Sequence, residues 1–230
     1  MNTHTPLSVI IPVLNEAAAI NGLIGHLRAL DPGRDMEIVV VDGDPAGSTL
    51  SAVREPGIVL VNSKRGRAAQ MNAGAARAEG DNLLFLHADT RLPANAVTSI
   101  LNAFGDREYV AGCFDLGIES SKWYFRITER YVAWRTRVTR IPFGDQAIFI
   151  RREYFERIGG YRDIPIMEDV ELMRRIRGRG DVLCIIPDRV MTSARRWEKE
   201  GDLFATFRNW MLQFLYFIGV SPERLARFYG

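Results

Sequence analysis

Four short apolar runs open the chain, and each ends in polar residues. Leu7 to Pro12, Met36 to Val41, Ile58 to Val61 and Asn82 to Leu86 are predominantly apolar runs, β-branched in the first three and leucine-rich in the fourth, which predicts strands. Between them, Ile20, Leu23, Ile24 and Leu27 recur at helical spacing within Glu16 to Leu30, and the alanine-rich stretch Arg67 to Ala78 predicts a second helix. Runs without polar alternation belong to strands buried on both faces. Alternating with helices, they predict an α/β fold with a mostly parallel central sheet flanked by helices. Ligands of such sheets sit beyond the carboxyl ends of the strands, so Asn15 and Glu16, Asp42 to Asp44, Asn62 to Arg67 and His87 to Asp89 are expected to converge.

After Thr90 the pattern changes. Strands are expected at Val110 to Leu116, Ala147 to Ile150 and Val182 to Ile186, and helices at Ser121 to Thr139, Glu168 to Arg177 and Leu203 to Phe217. No linker, repeat or low-complexity run interrupts the sequence, so one domain over 1–230 is expected. Trp123, Ile127, Tyr131, Trp134 and Val138 make a helical stripe roughly opposite Arg126, Arg130, Arg135, Arg137 and Arg140. Phe204, Phe207, Trp210, Met211, Phe214 and Phe217 make another. Such stripes most often pack into a core with the basic side in water; a second subunit, as in a homodimer, or a membrane surface is the alternative. The most apolar segment, Trp210 to Val220, is too short to cross a bilayer and contains Gln213.

Charge narrows the partners. Thirty basic against 28 acidic side chains leave a net charge of +2, which is not the footprint of a dedicated nucleic-acid binder. An anionic ligand must therefore be held by a local cluster. Cys113 and Cys184 show no metal-type spacing and the amino terminus shows no leader pattern, so a reduced, cytoplasmic chain is expected, with peripheral contact at the inner membrane face as an option.

Four clusters carry candidate chemistry. His87-Ala88-Asp89 places two ligand-type side chains on one side of an extended segment, where they could share an ion; alternatively Asp89 caps a helix beginning near Pro93. Glu168-Asp169 sits at a helix start, where the dipole favours ionised carboxylates suited to act as a base; solvated helix acids are the bland reading. Lys64, Arg65 and Arg67 surround Gly66 ahead of a helix and suit phosphate oxygens, although the segment matches neither the Walker loop nor the dinucleotide fingerprint. Arg195, Arg196 and Trp197 could neutralise a leaving diphosphate and back a ring, or form a plain surface turn. Gly144-Asp145-Gln146, ahead of a strand, is expected near the acceptor side of a site or as a simple strand-initiating turn.

Taken in order from Val9 to Trp197, these residues resemble the family-two glycosyltransferases with the GT-A (Rossmann-like nucleotide-diphospho-sugar transferase) fold. Val9 to Glu16 resembles the family's opening strand and nucleotide-contacting turn, and Val39 to Gly43 its second strand. His87-Ala88-Asp89 stands where the family has its Asp-x-Asp metal motif, and Glu168-Asp169 where it has its catalytic pair. The resemblance implies an inverting transfer from a nucleotide-diphosphate sugar, a UDP-sugar first among them, to a hydroxyl acceptor, with Mg²⁺ or Mn²⁺ as cofactor. It implies Asp169 as general base beside Glu168, Asp89 as metal ligand, and Pro12, Asn15, Glu16, Asp42, Arg67, Asn72, His87, Arg195, Arg196 and Trp197 around the donor. It also divides the domain into a nucleotide-sugar half (1–90), an acceptor half (91–200) and a helical extension (201–230). Two departures stand out: His87 replaces the first acid of the metal motif, and Asp42-Gly43-Asp44-Pro45 replaces the usual Asp-Asp-Gly-Ser. The compact format further resembles small bacterial transferases associated with radical enzymes. A nucleotidyltransferase using Glu168 and Asp169 as metal ligands, or a nucleotide-sugar-binding module without catalysis, are the competing readings.

Overall fold

The computed structural model of the chain describes residues 6–33, 36–106, 108–195 and 202–228. Strand β1 (Leu7–Val13) runs parallel to β2 (Met36–Asp42) on one side and to β4 (Asn82–Phe85) on the other, and β3 (Val59–Asn62) extends the sheet beyond β2. Helices α1 (Ile20–Leu30) and α2 (Arg67–Ala75) cover opposite faces. Because strand side chains alternate, Val9 and Ile11 of β1 enter the core under α1, while Ile10 enters the core under α2. Gly74 lets α2 press on the sheet: a Cβ there would lie 2.4 Å from Ile10 Cγ2. Helix α1 starts later than the pattern predicts. Asn15 adopts φ 59° and the Glu16 carbonyl accepts from both Ala19 and Ile20, so a turn precedes the helix.

The second half supplies β5 (Thr90–Arg91), α3 (Ala96–Gly105), β6 (Tyr109–Glu119), α4 (Trp123–Thr139), β7 (Phe149–Arg151), α5 (Arg152–Arg157), α6 (Glu168–Gly178), β8 (Val182–Ser193), α7 (Asp202–Phe217) and α8 (Pro222–Ala226). The sheet order is β3-β2-β1-β4-β7-β6-β8-β5. The pairings of β7 with β4 and β6, and of β5 with β8, are antiparallel; the others are parallel. Only four residues separate the end of β4 from β5, yet three strands lie between them in the sheet. Four residues reach too short a distance to skirt three flat strands. The long strands β6 and β8, with a register shift at Phe114/Asp115, therefore curl so that the end of β8 reaches β5 and the Asp89 carbonyl.

One expectation fails in α4. Trp123, Ile127, Tyr131, Trp134 and Val138 do not pack into a core but face solvent, and the buried face consists of Phe125, Glu129, Val132, Arg135 and Thr136. The polar residues can turn inward because each finds partners. Glu129 accepts from the Ile118 amide at 2.7 Å and pairs with Arg126 at 2.9 Å, while Arg135 and Thr136 both donate to Gln146. Helix α7 likewise buries Leu212 against Ile166 and Leu225 and leaves Trp210, Met211, Phe214 and Phe217 exposed; the side chains of Phe204 and Phe207 lie outside those described. Among the described residues no helix is long and apolar enough to cross a membrane.

Candidate active site

The carboxyl ends of β1 and β4 and the amino end of α2 enclose a cleft of about 520 Å³. Pro12, Val13, Leu14 and Glu16 form one wall, Arg65, Gly66, Arg67 and Gln70 a second, and His87, Ala88 and Asp89 a third, with Pro165 opposite. The strand-end rule thus collects three of the four expected segments around one space. Gly66 enters α2 at φ 134°, a conformation a side chain would resist, and the helix begins at the cleft wall beside Arg65 and Arg67.

Asp89 lies in the turn between β4 and β5 and does not cap a helix, since α3 begins at Ala96 behind Asn95. Its main-chain carbonyl accepts from Ser193 at 3.0 Å, which ties the turn to the end of β8. Glu16 faces it. Burial raises the proton affinity of Glu16, Arg195 opposes that rise and the charge of Asp89 adds to it. Arg195 reaches Glu16 at 4.0 Å across the cleft, whereas Arg196 and Trp197 lie outside the described residues.

Glu168 and Asp169 begin α6 but have different surroundings. Glu168 is buried, pairs with Arg67 at 2.9 Å through one oxygen and has no hydrogen-bond partner on the other. Burial pushes its pKa upward despite Arg67, and the charge of Asp169 adds to the rise, so the helix dipole does not decide its ionisation as the sequence suggested. Asp169 instead accepts from the Gly144 amide at 2.6 Å and from Val170 at 2.7 Å. The same Gly144 packs on the metal-type motif: a Cβ there would sit 3.0 Å from His87 Nε2 and 3.3 Å from Asp169 Oδ2.

Gly144 opens a 3-10 turn, Gly144–Gln146, fixed by Gln146. The buried Gln146 oxygen accepts from Arg135 (3.1 Å), Thr136 (3.0 Å) and Phe143 (3.2 Å), and its amide donates to the Phe114 carbonyl (3.1 Å). Asp145 has one buried oxygen without a partner, and burial pushes its pKa up to about 6 against the attraction of Arg135, with Asp169 and Asp89 adding to the rise. Asn15, Ala147 and Met167, at three approaches to the site, are non-glycine residues in the left-handed region, a cost that persists where surrounding structure over-determines the backbone.

Other expected residues sit differently. Asp42 is fully buried, and its two oxygens accept from the Asp44 and Thr49 amides, so it shapes its own loop and does not line the cleft. Asn72 clamps both the amide and the carbonyl of Tyr161, tying α2 to the approach to α6 rather than facing the cleft. Asn15 is exposed at the bend, also outside the lining. Gln70 was not singled out by sequence, yet its amide joins the carbonyls of Val13 and Val41 at 2.7 and 2.8 Å, holding the ends of β1 and β2 together at the cleft floor.

The family model described as glycosyl transferase family 2 matches residues 8–162, a span that holds the first three walls and the Gly144–Gln146 turn. The chain belongs to glycosyl transferase family 2. Within this family-2 setting, two curated relatives are similar over most of the chain. The undecaprenyl-phosphate 4-deoxy-4-formamido-L-arabinose transferase of Pseudomonas aeruginosa is 28% identical over 178 residues, covering 70% of this chain and 52% of its own length. The probable glycosyltransferase YdaM of Bacillus subtilis is 27% identical over 245 residues, covering 90% and 53%. The chain thus spans about half the length of the curated relatives it matches. Among solved structures, the mannosyltransferase PcManGT from Pyrobaculum calidifontis, in complex with GDP-Man and Mn²⁺, superposes with a TM-score of 0.66 at 23% identity, over 82% of this chain and 56% of that one. TarS 1-349 from S. aureus, in complex with UDP, gives 0.63 at 16% identity over 82% and 60%. These likenesses establish the GT-A fold for this family-2 domain.

Proposed function

We propose that the protein is an inverting glycosyltransferase that moves a sugar from a nucleotide-diphosphate donor to an acceptor hydroxyl with the help of a divalent cation. One observation carries the reading: Gly144 holds the Asp169 carboxylate through its amide while packing against His87, so the acid of α6 and the His87-Ala88-Asp89 turn meet across a single residue. The base then stands behind the His87 wall of the cleft, one residue away from the turn where a leaving diphosphate is expected. The cleft volume suits a nucleotide sugar. PcManGT and TarS, of the same fold, are described with GDP-Man and UDP, which supports a nucleoside-diphosphate donor, a UDP-sugar being the first to test.

The donor set fits a cation. Among the described residues no three His, Cys, Asp or Glu side chains form a closed metal cage. Asp89 nevertheless presents a carboxylate to the cleft beside Glu16. Mg²⁺ is commonly held by one or two carboxylates together with substrate phosphates, and Mn²⁺ accepts the same oxygen ligands. Asp89 would be its protein ligand, with His87 at its side, and the ion would neutralise charge developing on the leaving diphosphate.

The chain's own residues do the rest. Arg65, Arg67 and the first amides of α2 offer charge and hydrogen bonds to the phosphates. Asp169 takes the proton as the acceptor oxygen bonds to the anomeric carbon and the bond from that carbon to the diphosphate oxygen breaks on the opposite face, which inverts the centre. Glu168 holds Arg67 in place rather than meeting the acceptor. Losing a positioned base costs about 10²- to 10⁴-fold. Calorimetry with UDP, GDP and dTDP, each with and without Mn²⁺, should find one that binds in a metal-dependent way, with binding lost in Asp89→Ala and kept in Asp169→Asn. Release of the diphosphate from its sugar in the presence of acceptor should fall by that factor in Asp169→Asn; near-normal turnover there removes Asp169 from the mechanism, and release of pyrophosphate from a nucleoside triphosphate would indicate the nucleotidyltransferase reading.

A further inference from the structure

The largest feature that glycosyl transfer leaves unexplained is apolar and faces outward. Along α4, Trp123 is 73% exposed and Trp134 61%, with Ile127, Tyr131 and Val138 on the same stripe; on α7, Phe214 is 64% exposed beside Trp210, Met211 and Phe217. The rings of Tyr131 and Trp210 lie 5.0 Å apart and join the two stripes into one surface. Soluble monomers seldom leave so continuous an aromatic face in water.

We propose that this face docks on the surface of an anionic lipid bilayer. Charge decides between occupants. The sole acid of α4, Glu129, is buried and paired, and residues 208–217 contain none. Arg130 borders the α4 stripe, as does Arg137, whose charge is met by Asp115 at 2.8 Å, and Arg174 stacks on Tyr216 and Phe217 at 5.5 and 5.8 Å. Aromatic residues flanked by arginine are the composition of helices that lie in a membrane interface, where anionic headgroups attract the cations. A second copy placed face to face would set Arg130 and Arg174 against their counterparts with no acid on the stripes to meet them, and water leaves the apolar area uncovered.

The same two helices back the site. Arg135, on the buried side of α4, holds Gln146 and with it the turn that grips Asp169, while Leu212 of α7 packs beside Ile166, two residues ahead of Glu168. In a docked molecule α4 and the Gly144–Gln146 turn therefore lie between the lipid surface and Asp169. The surface stands on its own observations and does not depend on which reaction the cleft performs.

The test uses the full chain with vesicles of phosphatidylglycerol and phosphatidylethanolamine, and with vesicles of phosphatidylcholine alone. The protein should float with the anionic vesicles, shift its tryptophan emission to the blue, and bind phosphatidylcholine at least tenfold more weakly. The double variant Trp134→Glu/Phe214→Glu should abolish flotation while circular dichroism stays native. Arg130 has no ion-pair partner among the described residues. Arg130→Glu should therefore keep the fold and weaken anionic binding by roughly fivefold or more, so it carries the test should the double variant unfold. Absence of flotation with either vesicle, equal binding to both, or a dimer in light scattering that Trp134→Glu dissolves would each overturn the proposal.

Discussion

The two flanks of the cleft are held together by different physics. The flank made of β1, β2 and α2 is close-packed hydrocarbon: Ile10, Val39, Val41, Ala68 and Met71 are buried together, and Gly74 brings helix and sheet into contact. The flank made of α4, the Gly144–Gln146 turn and the start of α6 is a buried polar network in which Arg135 and Thr136 both donate to Gln146, while Arg135 Nε and one oxygen each of Asp145 and Glu168 stay without a partner. Apolar burial is non-directional, whereas hydrogen bonds in a low-dielectric network depend on angle as well as distance. The side that would carry the base is built from the more directional material, as reaction geometry requires.

Damage to the two flanks should therefore read out differently. Ile10→Ala should cost about 4 kcal/mol in chemical denaturation, from lost burial and the cavity left behind, without changing the pH dependence of stability. Gln146→Ala should cost about 3 kcal/mol, because Arg135, Thr136 and the Phe114 carbonyl lose a buried partner, and it should lower turnover more than donor affinity. If turnover at saturating substrate were unchanged, the network would be structural only and the contrast between the flanks would fall.

The third effect is smaller and has a sign that depends on pH. A carboxyl whose folded pKa is raised binds its proton more tightly in the folded chain, so its ionisation subtracts stability as pH climbs from about 4 toward 6 and leaves a constant deficit above. Asp145→Asn should be neutral at pH 3.5 and should stabilise the protein by about 2 kcal/mol at pH 7, the full two-unit shift being trimmed because the turn is partly open to solvent. Melting temperatures of both proteins across that range decide it; a gain at low pH alone would mean that burial is not what holds the proton.

The apolar flank was readable from sequence; in the polar flank Glu168-Asp169 and the Gly144–Gln146 turn stood out, but the network that joins them to α4 did not. Continuous runs such as Ile38 to Val41 announce buried strands, and the strand-end rule then located Glu16, Arg67 and Asp89. In α4 the reading inverted, because hydrophobic periodicity assumes that apolar residues face inward. Glu129 and Arg135 are inside only because distant partners, Arg189 on β8 and Gln146 beyond the helix, complete them, and no local pattern encodes such pairings. Asp42 and Asn72 were recognisable as important but not for what they touch, since motif position does not show that Asp42 would turn to the Thr49 amide or Asn72 to Tyr161. Gln70 carried no signal beyond its place two residues after Ala68 on the inner side of α2.

The place of β7 has a consequence for how the molecule assembles. Residues 82–84 pair with residues 149–151, and β6 with a strand some seventy positions later, so the middle of the sheet is closed by segments far apart in sequence. Loop-closure entropy must be met before such pairings form, which predicts slow folding relative to a helical protein of this size. Until β7 arrives, the edge of β4 is an open template for foreign strands. Refolding yield should therefore drop steeply with protein concentration, and the cleft should come into existence only in the last cooperative step.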